Sequence, residues 1–176
     1  MTSSSSSPGP RKVKVIDGKP ASAEEWKVFF KDYIKTRDFG KHNHSVSVCL
    51  YQNPNTKHKL VQKTFGPKQE KHFNREISNL KHLKGCLFIP KLHHIDTSTK
   101  TLYLSYCGRR PRHLTDEQKA DIRDKLKLLK EQYGLSRNFF YPTHLGFPKR
   151  DNITMDHGEM KLIDFGPPWK IATKMK

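Results

Sequence analysis

The chain has 176 residues, with 34 Lys and Arg against 17 Asp and Glu, for a formal net charge of +17. Its hydrophobic content of 34% is enough for one domain with a core, and its positive excess either favours anionic partners (nucleic acid, phosphorylated protein, an acidic membrane surface) or makes a solvated basic surface. No apolar run approaches the roughly 18 residues that span a bilayer, no secretory h-region is present, and Cys49, Cys86 and Cys107 show neither a CxxC pair nor zinc-ligand spacing, so the expectation is an intracellular protein, cytoplasmic or nuclear, with reduced thiols.

Residues 1–20 read as a disordered tail, because Ser3–Ser7, Pro8-Gly9-Pro10 and the basic Arg11-Lys12-Val13-Lys14 cannot bury a core. The folded part is expected over residues 21–176. Ser22 and Glu25 form a capping-box pattern. Trp26, Phe29, Phe30, Tyr33 and Ile34 then recur at helical spacing as one apolar stripe, and the pattern fades by Gly40.

Ser45 to Tyr51 alternates as a strand, Asn53-Pro54-Asn55 is a turn, and Lys59 to Phe65 is the returning strand. Lys63 falls between Val61 and Phe65 on one face of that strand. Buried there, it needs an anionic partner; on an exposed face it needs none. Gln69 to Lys84 reads as a helix ended by Gly85, with Phe73, Ile77, Leu80 and Leu83 as its buried stripe. Glu76 lies on or beside that stripe, so it is either the partner of Lys63 or an ordinary surface carboxylate. His93 and His94 are adjacent in a strand and expected on opposite faces, which makes them a poor metal pair.

Thr115 and Gln118 form a second capping box. Ile122, Leu126, Leu129 and Tyr133 make the stripe of the helix that follows, and Gly134 ends it. Phe139-Phe140-Tyr141-Pro142 is expected to continue the core. Ile153–Met155 and Glu159–Ile163 then read as a hairpin about Asp156-His157-Gly158. Its two ends meet, so Asn152 is set beside Asp164. A carboxamide next to a carboxylate is a hard-oxygen pair suited to Mg²⁺.

Four parts in this order, Val61-Gln62-Lys63, Glu76, Asn152 and Asp164-Phe165-Gly166, resemble the eukaryotic-type protein kinases. The resemblance covers about Phe39 to Gly166. Arg75 to Leu83 is similar to the family's αC helix, Ile89 to Leu92 to the strand after it, and Thr101 to Tyr106 to the strand that runs into the hinge. It implies an α+β, protein-kinase-like fold. Residues 21–106 would be an N-lobe, an antiparallel sheet with the αC helix and an extra N-terminal helix. Residues 107–176 would be the hinge and a minimal, truncated C-lobe. It also implies ATP and Mg²⁺ as cofactors. Lys63 would hold the α- and β-phosphates and be fixed by Glu76. Tyr106 would be the gatekeeper, and Cys107 would belong to the linker that lies against adenine. Lys149 would approach the γ-phosphate, and Asn152 and Asp164 would bind the metal.

Three departures qualify what the resemblance implies about activity. Gly40 is the lone glycine of the segment Gly40–Val46, where the family has a glycine-rich loop. Phe147 stands where the catalytic-loop aspartate belongs, and only His144 offers a substitute base. Ten residues follow Gly166, leaving no room for an activation segment and peptide platform. The expectation is therefore a pseudokinase, similar to kinase-like proteins of large DNA viruses. It would bind ATP·Mg²⁺ and act as a regulatory or binding module, with a kinase or a phosphorylated protein as partner. The alternative is a minimal active phosphotransferase with an unorthodox base. A nucleic-acid partner has only charge behind it, since no RNA- or DNA-binding motif is present.

Overall fold

The computed structural model describes residues 15–16, 19–20, 22–41, 45–136, 152–165 and 170–171. The architecture is α+β, built on a five-stranded antiparallel sheet with a helix on each face. After a short pairing of β1 (Val15–Ile16) with β2 (Lys19–Pro20) comes α1 (Ala23–Phe30). Its start is set by the expected box: the Ser22 hydroxyl accepts from the Glu25 N–H at 3.2 Å and the Ser22 N–H donates to the Glu25 carboxylate at 3.1 Å. The helix stops sooner than its apolar stripe suggests. Ile34 opens a strand, β3 (Ile34–Asp38), and is 56% exposed. The ladder that β3 forms with its neighbour satisfies these backbone groups better than another helical turn, and β-branched Ile34 and Thr36 suit it.

The sheet order is β3, β4 (Ser47–Gln52), β5 (Lys59–Thr64), β7 (Thr101–Ser105), β6 (Leu92–Asp96). Between β5 and β6 runs α2 (Glu70–His82), entered through a 3₁₀ turn at Pro67–Gln69. Side chains alternate between two faces. The inner face packs on α2, and Phe65, Phe73, Leu80, Leu102, Leu104 and Phe165 belong to this core. The outer face carries Leu60 and Tyr103 and is covered by Trp26, Phe29, Phe30 and Tyr33.

The two adjacent histidines do not divide between the faces. The β6–β7 register slips between Leu92 and His94, a bulge that turns consecutive side chains to one side. Leu92 and Ile95 pack inward, while His94 stacks on Trp26 at 4.8 Å and 12°. His93 lies edge-on to His58 at 6.0 Å, and His58 is hydrogen-bonded to the Tyr33 hydroxyl at 2.6 Å.

Downstream, α3 (Asp116–Tyr133) follows its sequence reading: Thr115 caps it, Ile122 and Leu129 are fully buried, and Gly134 ends it in the left-handed conformation at φ +63°. β8 (Leu135–Ser136) pairs with β11 (Lys170–Ile171). The hairpin of β9 (Ile153–Asp156) and β10 (Glu159–Leu162) has a two-residue turn, His157-Gly158, tighter than expected, with φ of +49° and +86°. That pair of positive values is the primed turn that matches strand twist. The segments read as a tail (residues 1–14 of it), as core continuation (Phe139–Pro142) and as the catalytic loop lie outside the described residues, apart from Asn152. Among the described residues no helix is long and apolar enough to cross a membrane.

Candidate functional site

Lys63 sits on β5 opposite Val48 of β4 and Leu102 of β7, so its stem is flanked by apolar neighbours on the inner face. It is buried, and so is Glu76 on the facing side of α2. Their charged groups meet at 2.7 Å, close enough for an ion pair though not aligned as a hydrogen bond. Lys63 also donates to the Asp164 carboxylate at 3.0 Å. The surface alternatives left open for Lys63 and Glu76 are thus closed, and both face the core as a pair.

Burial alone would lower the Lys63 pKa, but the Glu76 and Asp164 carboxylates outweigh it and hold the ammonium above its ordinary value. Glu76 is pushed above the usual carboxylate range by burial, against the pull of Lys63 and with a further push from the charge of Asp164. The Lys63 ammonium is thus shared between two carboxylates.

Asp164 and Phe165 follow β10 with Ile163 between. Asp164 is a non-glycine residue at φ +67°, a conformation that costs roughly 1–2 kcal/mol and persists only where neighbours enforce it. The Phe165 ring is fully buried in the inner core, and its carbonyl accepts from the Asn79 side chain at 2.8 Å. Its N–H is directed at the Glu76 carboxylate. Residues 76 and 79 are one helical turn apart on α2, so one helix face meets both backbone polar groups of Phe165, which belong to two successive peptide units.

The hairpin brings Asn152 to the same place. The Ile163 N–H donates to the Asn152 carbonyl at 2.9 Å, which sets Asn152 across from the residue before Asp164. Both side chains are half-buried. Among the described residues no group of three or more His, Cys, Asp and Glu side chains is arranged to hold a metal. Asn152 and Asp164 offer two oxygen donors, which is part of the shell that Mg²⁺ would need.

Tyr106 falls one residue past β7, with the Lys59 ammonium 5.4 Å from its ring centre. The β7 side chain opposite Val61, two residues before Lys63, is Leu104. Cys107 is buried, and burial pushes its thiol up to about 11. The segment after β7 is then sewn to β9. The Arg109 N–H donates to the Met155 carbonyl at 3.0 Å and the Met155 N–H returns a bond to Arg109 at 2.7 Å. Gly108 sits at φ +86°, and a Cβ there would lie 2.0 Å from the Met155 oxygen, so the junction requires glycine.

Lys149, His144 and Phe147 lie outside the described residues, as do residues 42–44 of the loop after Gly40. Leu104 and Asn79 escaped the sequence reading. Strand alternation with a fixed register would have found Leu104; an amide on an apolar helix stripe was the signal for Asn79. No protein-family model matches the chain, and no curated protein gives a significant match.

Proposed function

We propose that this chain is a kinase-like protein that binds ATP·Mg²⁺ at Lys63, Glu76, Asn152 and Asp164 and serves as a regulatory or binding module. The observation that carries this reading is the buried Lys63–Glu76 pair at 2.7 Å with Asp164 at 3.0 Å. A buried ion pair is a poor way to stabilise a core, since apolar replacements often do as well or better. Its retention next to a half-exposed carboxylate is the arrangement expected of a phosphate-and-metal site, in which a strand lysine and a helix glutamate must be paired. The five-stranded antiparallel sheet with a helix inserted before its last two strands is compatible with a small kinase-like N-lobe. Val48, Val61 and Leu104 are register partners or neighbours of Lys63 on the inner face and would form the apolar shelf for a base. The basic surface suits a phosphorylated or otherwise acidic protein partner.

The test is thermal unfolding with ATP, with and without Mg²⁺, for the wild type, Lys63→Ala and Asp164→Asn. Ligand at a hundred times its Kd stabilises the native state by about 2.7 kcal/mol. A Mg²⁺-dependent rise in Tm that both variants lose supports the proposal, whereas no shift in the wild type at millimolar nucleotide removes it. The inward, ion-paired arrangement also favours a second reading, a minimal phosphotransferase, because active kinases need that pair in place. Transfer of labelled γ-phosphate by a nucleotide-binding wild type, absent from Asp164→Asn, would select this alternative.

A further inference from the structure

The geometry points to Asn79 as a latch, a positioning residue that holds Asp164-Phe165 turned inward although its own contact is with Phe165. Packing does not explain an amide here. Asn79 is buried on the α2 stripe that also presents Phe73, Leu80 and, just beyond, Leu83, and an apolar side chain would fill the space as well. A buried amide without a partner is costly. What Asn79 gains is the 2.8 Å bond from its Nδ2 to the Phe165 carbonyl. With Glu76 directed at the N–H of the same residue, α2 holds Phe165 by both of its backbone polar groups, one in the peptide unit before it and one in the unit after it.

That residue is the one that needs holding. Asp164, immediately before it, occupies the left-handed region at φ +67°. Relaxation to ordinary backbone would swing its carboxylate away from Lys63. The buried Phe165 ring opposes such a swing, but a ring alone leaves rotation about its own axis and the carbonyl direction open. The Asn79 bond fixes the direction. Glu76 thus has two tasks, pairing Lys63 and meeting the Phe165 N–H, while Asn79 has one, which makes it the residue to perturb.

This inference rests on the proposed ATP·Mg²⁺ reading only for the use of the site, and two readouts keep them apart. The variants are Asn79→Leu, which removes the donor and leaves no orphan amide, and Asn79→Asp, which keeps the shape and replaces the donor by an acceptor. The first readout is native-state amide hydrogen exchange at Phe165, referred to Leu80 and Leu162 in the same sample. The latch predicts roughly tenfold faster exchange at Phe165 in both variants with the reference amides nearly unchanged, and slow exchange of the Asn79 side-chain amide in the wild type. Uniform acceleration at all three amides, or none, overturns it; if a variant gives no cooperative melt, the Asn79 amide of the wild type decides. The second readout is ATP affinity with and without Mg²⁺. Both variants should lose most of the Mg²⁺-dependent gain and keep the metal-free affinity. If the wild type binds no nucleotide, the function proposal fails and the exchange result alone judges the latch.

Discussion

The two faces of the central sheet are built on opposite principles. The outer face is closed by α1 with rings alone: Trp26 stacks on His94, Phe30 meets Tyr103 edge-on at 4.8 Å, and Tyr33 and Tyr51 complete the cluster. The inner face is closed by α2, but its apolar core is interrupted by Lys63, Glu76 and Asn79, each buried and each set against a specific partner. Apolar burial is non-directional and tolerates rearrangement. Buried polar groups tolerate none, because each lost partner leaves a desolvated group behind. Both faces contribute apolar burial, and the inner face gives up some of it to hold charges at defined positions.

The largest expected effects are alike in size and differ in whether a second substitution repairs them. Trp26→Ala should cost about 3–5 kcal/mol in urea unfolding, as large-to-small changes of buried aromatics do. Trp26→Phe should cost much less, since the indole N–H has no hydrogen-bond partner to lose. Lys63→Met should also cost about 3–5 kcal/mol, by leaving Glu76 buried without its cation. Adding Glu76→Leu should restore most of that stability and none of the Mg²⁺-dependent nucleotide shift. If the double variant is as unstable as Lys63→Met, the inner face is not paying for function and the contrast between the faces collapses.

The smallest effect expected is one of pH, and it belongs to the outer face. Burial lowers the pKa of both His58 and His94, with Asp96 partly opposing the shift at His94. A base with a depressed folded pKa binds its proton more readily when unfolded. Its contribution to stability is then complete above the unfolded value near 6.5 and lost as pH falls through the folded value. The rings facing them are Tyr33, His93, Trp26 and Tyr103, and the Asp96 carboxylate is the charge that acts on His94. Tm should fall between about pH 7 and pH 5, and His58→Phe with His94→Phe should flatten that slope. An unchanged slope would remove the two histidines as its source.

Much of this was legible in the chain. The capping boxes at Ser22 and Thr115, the stripes of α2 and α3, the stop at Gly134 and the hairpin after Asn152 are local signals, decided by residues three or four apart. What could not be read has a common cause. Ile34 continued a helical stripe yet joined a strand, because its ladder partner, Gln52, arrives from another segment. His93 and His94 alternated on paper yet share a side, because a bulge forms only against β7. Asn79 looked like an ordinary polar helix residue until Phe165 was placed beneath it.

Lys63 shows the division most plainly. Its position between Val61 and Phe65 established that a cation would stand on an apolar strand face, and the spacing of Glu76 on its helix established a carboxylate able to face inward. Whether either charge was buried depended on which face α2 would cover, and on a hairpin 101 residues further along bringing Asp164 to within 3.0 Å. Local chemistry selects elements and their faces, because those preferences are settled within a few residues. The cost of burying a charge is settled only by what surrounds it, and the surroundings here come from three separate parts of the chain.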